Sequence, residues 1–169
     1  MTLLKSYYQL CKPNVVYMML ICAFVGMLLA EESVTSFGYL MVALLGIALC
    51  AASAAAINQV IDRNTDASMT RTDQRPLPQG ELSVSHASLF ALVVGILGAL
   101  VLYLYVNTLT MVLTLASLVG YAFIYTVYLK RATPQNIVIG GLAGAAPPLL
   151  GWSAVTNTCL LYTSPSPRD

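Results

Sequence analysis

Three polar residues, Asn58, Asp62 and Asp66, follow a long apolar run at intervals of four. If the chain stays helical there, all three side chains project from one face. Two carboxylates four residues apart repel each other on a helix, and a cation bound between them would reverse the sign of that interaction. The donors are all oxygen atoms, which favours a hard ion such as Mg²⁺. We therefore predict a magnesium site with Asn58, Asp62 and Asp66 as its ligands.

Two arginines, Arg71 and Arg75, lie a short distance downstream and are again four residues apart. A guanidinium presents a planar fork of donors that matches phosphate oxygens. Mg²⁺ in turn is usually held by one or two carboxylates together with substrate phosphates. An ordinary solvated loop with helix-end charges would explain the aspartate spacing by itself. The combination of acids, amide and basic pair beside an apolar run favours a site for a metal-bound diphosphate.

Membrane-spanning helices are the elements that must hold these residues. The chain has 169 residues, of which 58% are hydrophobic and 9% charged, and its mean hydropathy is +0.77. Soluble domains carry roughly a quarter charged residues. The apolar runs are continuous rather than alternating, which favours helices over a barrel. We predict an all-α, polytopic transmembrane helix bundle with about five spans, at residues 13–30, 37–57, 84–106, 109–129 and 137–155.

Individual residues refine these spans. The second span is rich in Ala and Gly, which indicates close contact with neighbouring helices. Pro13 suits an opening turn, whereas Pro147 and Pro148 predict a kink or break in the fifth span. His86 is predicted to be an interfacial residue at the start of the third span, and Trp152 an interface or packing residue. Contact with a bound cofactor is the alternative for both.

The distribution of charge predicts the orientation. The Lys and Arg residues that precede the last eleven residues all fall on one side of the predicted spans, and Glu31 and Glu32 fall on the other. The positive-inside rule makes the basic side cytoplasmic. We therefore expect a multi-pass protein of the cell inner (plasma) membrane, with its N-terminus and its Asp-rich loop in the cytoplasm. The net charge of +1 argues against a nucleic-acid partner.

The polar segment resembles a known family. Asn58, Asp62 and Asp66, followed by the arginine-proline run that ends at Gly80, are similar to the first aspartate-rich motif of the UbiA superfamily of intramembrane prenyltransferases. Further stretches resemble the protoheme IX farnesyltransferase (heme O synthase) branch of that superfamily, at residues 8–13, 25–30, 125–141 and 143–152. The resemblance covers nearly everything from residue 7 to residue 156.

The resemblance implies a prenyltransferase that moves a farnesyl group from farnesyl diphosphate to heme b, giving heme O and diphosphate. It implies Mg²⁺ as cofactor, with Asp62 and Asp66 as catalytic metal ligands. The diphosphate ligands would be Arg71, Arg75 and Lys130. The implied partners are farnesyl diphosphate, heme b, the lipid bilayer and the assembly machinery of terminal oxidases.

The chain departs from the family pattern in several places. Asn14 stands where the family commonly has Arg, and Thr126 stands where the superfamily has a site Tyr, with Tyr125 one place away. Residues 159–169 read like a translated sequencing adaptor, with a short disordered polar tail as the alternative. We expect residues 1–158 to be the N-terminal part of a UbiA-type domain, which would be inactive without the family's second aspartate-rich motif.

Two other functions are compatible with parts of the sequence. A UbiA-type enzyme that prenylates an aromatic acid or a quinone precursor would use the same acidic and basic residues. A membrane transporter would use acids at the membrane edge for ion passage. Transporters place ionisable groups near the middle of the bilayer, whereas Asp62 and Asp66 follow the apolar run at its end.

Overall fold

The computed structural model describes residues 3–30, 36–70, 72–120, 122 and 144–158. Within these ranges the protein is helical and contains no β-strand, as the sequence predicts. The helices are α1 (Leu3–Leu10), α2 (Pro13–Leu29), α3 (Phe37–Ala67), α4 (Val84–Tyr105), α5 (Thr108–Val119) and α6 (Ala146–Thr156).

Two helices, α3 and α4, are each long and apolar enough to cross a membrane. The pair α1 and α2, bent by 46° at the break between them, would make a third span. The fourth predicted span begins as α5, a shorter apolar helix of 12 residues. The fifth ends as α6. The remaining parts of these two predicted spans include residues 121 and 123–143, which lie outside the described ranges.

The outer face of α4 has the apolar surface expected of a helix that contacts lipid. Large apolar side chains project outward along the helix, among them Leu89, Leu92, Ile96, Leu100 and Leu104. The opposite face is buried and carries mostly small residues. An apolar surface of this extent is typical of contact with a membrane, so the protein is a membrane protein.

Prolines open two of the helices. Pro13 stands in the first turn of α2, as predicted, and Lys12 before it is left-handed, with φ 50° and ψ 61°. Pro147 and Pro148 lie in the first turn of α6, which begins at Ala146. A proline is tolerated there because the first-turn N–H groups have no partner within the helix. Within the described part of the predicted fifth span, the proline pair lies at the start of a helix.

Helix α3 is longer than the span predicted at residues 37–57. Ser36 caps its start by accepting a hydrogen bond from the Tyr39 N–H at 3.3 Å. No Gly or Pro interrupts the chain between the apolar run and Ala67, so the helix continues for 31 residues. At a rise of about 1.5 Å per residue it is roughly 46 Å long. This continuation carries the polar motif beyond the apolar run.

Small residues let the helices approach closely. Helix α3 packs most extensively against α4, and α2 against α6. A Cβ added at Gly98 would lie 2.7 Å from Cys50 Sγ and 3.0 Å from the Gly46 carbonyl oxygen. Ala54 and Ala56 of α3 are buried. The close helix contact predicted from the Ala and Gly content of this span is confirmed.

Among the described residues, the buried apolar side chains form two clusters. One lies in the membrane and includes Ala23, Ile47, Leu102 and Leu150. The other lies under the polar end of the molecule, where Leu10, Leu77 and Leu82 are buried together with small residues of α3 and α4. The second cluster supports the segments that surround the polar motif.

Candidate active site

The polar end of α3, residues 58–67, presents its three candidate ligands on one buried face. Asn58, Asp62 and Asp66 are each only 5% exposed, whereas the intervening Arg63 and Asn64 are exposed. Side chains four apart on a helix have Cβ atoms about 6 Å apart. The structure therefore brings the three oxygen-bearing side chains into one row, as the spacing predicts.

A chain of hydrogen bonds orients the first two members of this row. Lys12 Nζ donates to Asn58 Oδ1, and Asn58 Nδ2 donates to Asp62 Oδ2 at 3.2 Å. The two contacts fix which end of the amide faces the lysine and which faces the aspartate. The amide oxygen, the atom that would bind a metal, thus already faces a cation.

The third member of the row is paired with an arginine. Arg75 donates from its guanidinium to Asp66 Oδ2 at 2.5 Å, and the side chains are 27% and 7% exposed, respectively. A charge-assisted hydrogen bond of this kind is stronger than a neutral one. Arg75 is therefore brought to the acidic row, as the prediction of a diphosphate site requires.

The segment between α3 and α4 is folded tightly enough to position Arg75. The Thr72 hydroxyl donates to the Asp66 carbonyl at 3.0 Å, and the Arg75 N–H donates to the Thr72 carbonyl at 3.2 Å. Thr72 and Pro76 are almost fully buried. Gly80 adopts φ 70°, a left-handed conformation that glycine tolerates without strain.

Gln59, beside Asn58, was not singled out by the sequence but holds the site to the N-terminal helix. It is 2% exposed, and its Nε2 donates to the carbonyl oxygens of Gln9 and Leu10, both at 3.0 Å. The last carbonyls of a helix lack partners within the helix. Gln59 donates to two of them, of which the Gln9 carbonyl also accepts from the Lys12 N–H at 3.2 Å, and so fastens the end of α1 to α3.

A second tie holds α1 to the far end of the loop. The Ser6 hydroxyl donates to Glu81 Oε2 at 2.6 Å, and Ser6 is 1% exposed. The rings of Tyr7 and Phe90 also pack with their centroids 4.9 Å apart. Helix α1 therefore bridges the polar end of α3 and the start of α4.

An apolar cavity of about 270 Å³ lies next to the polar row. Small residues of α3 form one of its walls, and they stand one and two turns before Asn58. Lys12 is the one charged residue among the described lining residues. Those residues are Lys12, Val15, Val16, Met19, Ile47, Cys50, Ala51, Ala54, Ala55, Thr114, Ser117, Leu118, Gly144, Ala146 and Leu150.

The other candidate residues lie either outside the described ranges or at an exposed position. Arg71 and Lys130, predicted as diphosphate ligands, lie outside the described residues, as do Tyr125 and Thr126. His86 is exposed in the first turn of α4, in line with the predicted interfacial role.

The described residues contain no group of three or more His, Cys, Asp or Glu side chains that could hold a metal ion. The donors present are two carboxylates and an amide. They fit Mg²⁺, which takes one or two carboxylates and completes its shell with phosphate oxygens and water.

A family match adds to this geometry. Residues 19–167 match the model of the UbiA prenyltransferase family, a range that includes the acidic row, Arg75 and most of the cavity lining. The chain belongs to the UbiA prenyltransferase family. The family resemblance of the polar motif is thereby confirmed over most of the chain.

Individual curated proteins that resemble this chain narrow the comparison to one branch of the family. Over 153 residues the chain is 60% identical to protoheme IX farnesyltransferase 2 of Pseudoalteromonas atlantica, covering 90% of this chain and 50% of that protein. It is 58% identical over 153 residues to protoheme IX farnesyltransferase of Idiomarina loihiensis, covering 90% and 51%. The chain thus spans about half the length of the curated relatives it matches.

Solved structures share the fold. A UbiA homolog from Archaeoglobus fulgidus, bound to DMAPP and Mg²⁺, superimposes with a TM-score of 0.71 at 21% sequence identity, covering 89% of this chain and 53% of that one. The same homolog bound to GPP and Mg²⁺ gives a TM-score of 0.71, covering 90% and 53%. At this identity the likeness establishes a common helical arrangement.

Proposed function

We propose that the protein transfers a farnesyl group from farnesyl diphosphate to heme b, giving heme O and diphosphate, in a magnesium-dependent reaction. One observation carries the proposal: the buried acidic row and the apolar cavity follow each other along α3. Ala51, Ala54 and Ala55 line the cavity, and Asn58 and Asp62 continue the same helix one to two turns later. A donor with an apolar tail and an anionic head needs this juxtaposition.

The polar row would hold the head of the donor. Asp62 and Asp66, with Asn58 beside them, would bind Mg²⁺, which as a Lewis acid stabilises negative charge on the diphosphate oxygens. Arg75 at the row, with Arg71 and Lys130 in the proposed ligand set, would add positive charge fixed in place before the reaction. These groups favour cleavage of the C–O bond, because the leaving diphosphate takes the electron pair of that bond.

The apolar cavity would hold the tail of the donor. A cavity of about 270 Å³ is slightly smaller than the roughly 300–1,000 Å³ typical of small-molecule sites. Its mostly aliphatic wall would shield the allylic cation from bulk water. A new C–C bond would then join the farnesyl C1 to a heme vinyl group, and water would supply the hydroxyl of heme O while releasing a proton.

The relatives support heme b as the acceptor. Proteins named protoheme IX farnesyltransferase are 56–60% identical to this chain over about nine-tenths of its length. We further propose that the reaction takes place in the inner (plasma) membrane with the acidic row at the cytoplasmic side. Heme O would pass from there to the assembly machinery of terminal oxidases.

The experiment replaces single residues of the row in the full-length protein. Asp62→Ala or Asp66→Ala should abolish heme O formation from farnesyl diphosphate and heme b while leaving membrane insertion intact, as should removal of Mg²⁺ by a chelator. The matched control is Asn64→Ala, because Asn64 is exposed on the same turn of α3 and should leave the rate unchanged.

The result can also contradict the proposal. Undiminished heme O formation in either aspartate variant would remove the proposed metal ligands. Turnover of 4-hydroxybenzoate in place of heme b would assign the chain to the aromatic-acid class of UbiA enzymes. Ion flux that does not require magnesium, without release of diphosphate, would favour a transporter.

A further inference from the structure

Lys12 lies at the junction between the apolar cavity and the acidic row. Its side chain lines the cavity, and its ammonium donates to Asn58 Oδ1. In the sequence, Lys12 contributes to the predicted cytoplasmic charge and lies in the stretch 8–13 that resembles the protoheme IX farnesyltransferase branch, but its residue type and position predict no role at the site. The structure instead puts this cation where the head and the tail of the proposed donor would meet.

The backbone of Lys12 is held in a disfavoured conformation. Its φ of 50° is left-handed. Among the other non-glycine residues of the described ranges, only Asn157 shares this conformation. Such a conformation costs energy for a residue with a Cβ and persists where the surroundings impose it. It produces the bend between α1 and α2 and directs the lysine toward α3.

Adjacent residues of α3 hold this bend from the other side. Gln59 donates to the carbonyl oxygens of Gln9 and Leu10, immediately before the bend, and Asn58 accepts from Lys12 itself. Gln59 is 2% exposed, so its contacts are shielded from water. The position of the lysine is therefore set by the same helix turn that begins the acidic row.

We propose that Lys12 is a further ligand of the donor's diphosphate and that Gln59 is the residue that positions it. This rests on the proposed function, because it assumes a diphosphate bound at the acidic row. The cation and a metal ion would both be drawn to Asn58 Oδ1. When a metal-bound diphosphate is present, the ammonium moves to a diphosphate oxygen. There it stabilises charge that grows as the C–O bond breaks.

The first test measures binding without turnover. Inorganic diphosphate with Mg²⁺ is titrated calorimetrically into the detergent-solubilised full-length protein. Lys12→Met should weaken binding about tenfold to a hundredfold, the loss expected for a hydrogen bond to a charged group. Lys12→Arg should restore most of it. Lys5→Met is the matched control, because Lys5 is exposed on α1 and should leave binding unchanged.

The possible outcomes separate a binding role from a structural one. If Lys12→Met and Lys12→Arg bind diphosphate as the unaltered protein does, the proposal is wrong. The unfolding midpoint of each variant is measured as well. If the weaker binding of Lys12→Met is fully explained by a lower unfolding midpoint, the lysine stabilises the fold and does not bind diphosphate, and the proposal is also wrong.

Kinetics with both substrates give a second test. Lys12→Met should raise KM for farnesyl diphosphate and lower kcat, with KM for heme b unchanged. A change confined to KM for heme b would mean that the lysine contacts an anionic group of the acceptor, which overturns the proposal. If Asp62→Ala remains active, the proposed function fails; if Asp62→Ala is inactive while Lys12→Met is normal, only the role of Lys12 fails.

The positioning role of Gln59 is tested by a double-mutant cycle. Gln59→Leu removes the donor to α1 and should weaken binding of inorganic diphosphate by a smaller factor than Lys12→Met does. In the double variant the loss should be close to that of Lys12→Met alone, because both changes remove the same interaction. Fully additive losses would show that Gln59 does not act through Lys12.

Discussion

The membrane half of the bundle and its polar end are held together by different contacts. In the membrane half, α2 meets α6 and α3 meets α4 mainly through glycines and other small residues, and the Ser53 hydroxyl donates to the Ala91 carbonyl at 2.7 Å between α3 and α4. At the polar end, α1, α3 and the loop are joined by hydrogen bonds that side chains donate and by an ion pair. The membrane half therefore tolerates no larger side chains at its helix contacts. The polar end depends instead on the hydrogen-bonding and charged groups of individual side chains.

The difference has a physical cause. Lipid tails are as apolar as the helices, so burial of apolar surface gives little drive for association in the membrane, and close packing has to provide it. At the polar end the groups are partly shielded from water, and each unpaired donor or acceptor would cost free energy. We therefore expect substitutions in the membrane half to change mainly the free energy of unfolding, and substitutions at the polar end to change mainly ligand binding.

The largest loss of stability should come from Gly151→Ala. A Cβ at Gly151 would lie 1.9 Å from the Ala23 carbonyl oxygen, so the backbones of α2 and α6 would have to move apart. We expect the free energy of unfolding to fall by about 3 kcal/mol or more, measured by titration with a denaturing detergent. The control is Gly38→Ala, where an exposed position in α3 offers space. An unchanged Gly151→Ala protein would show that this contact is not tight.

A smaller loss of stability, with a large loss of binding, should follow Arg75→Met. Asp66, 7% exposed at its side chain, would lose its partner, and the partial exposure of Arg75 places the cost at about 2 kcal/mol, between the values for exposed and buried pairs. Binding of inorganic diphosphate with Mg²⁺ should fall at least tenfold. Arg63→Met, at an exposed position, serves as control. Unaltered binding would place Arg75 outside the site.

The smallest effect should be that of Ser6→Ala. The change removes the hydrogen bond to Glu81 that ties α1 to the loop and should cost about 1 kcal/mol. Faster amide hydrogen exchange in α1, with exchange in α4 unchanged, is the expected signature. Ser85→Ala, at an exposed position, is the matched control. A loss as large as that of Gly151→Ala would contradict the division between the two regions.

Much of this arrangement could be predicted from local sequence. The spacing of Asn58, Asp62 and Asp66 requires only that a helix continue, and the absence of Gly and Pro allows it to do so. Pro13 likewise marks the start of α2. The apolar run ends at residue 57, where hydropathy falls, but the helix continues to Ala67 because backbone hydrogen bonding does not depend on hydropathy.

The contacts of Lys12 and Gln59 could not be predicted in this way. They join residues about fifty positions apart in the chain, and they depend on the bend that left-handed Lys12 introduces. Nothing in the residue types distinguishes Gln59 from a solvated helix residue. The expectation that residues 159–169 are non-native also stays a prediction, which sequencing across residue 158 would test.

The contact between Gly26, Gly151 and the facing backbones also bears on how the cavity can open. A Cβ at Gly26 would lie 2.2 Å from the Pro148 carbonyl oxygen, so main chain touches main chain one to two turns beyond Met19 of the cavity. Side chains change rotamer within nanoseconds, whereas helices shift only in slower collective motions. The seam between α2 and α6 should therefore stay shut, whereas the parts of the described cavity wall that consist of side chains, such as Met19 and Leu118, can change shape more readily.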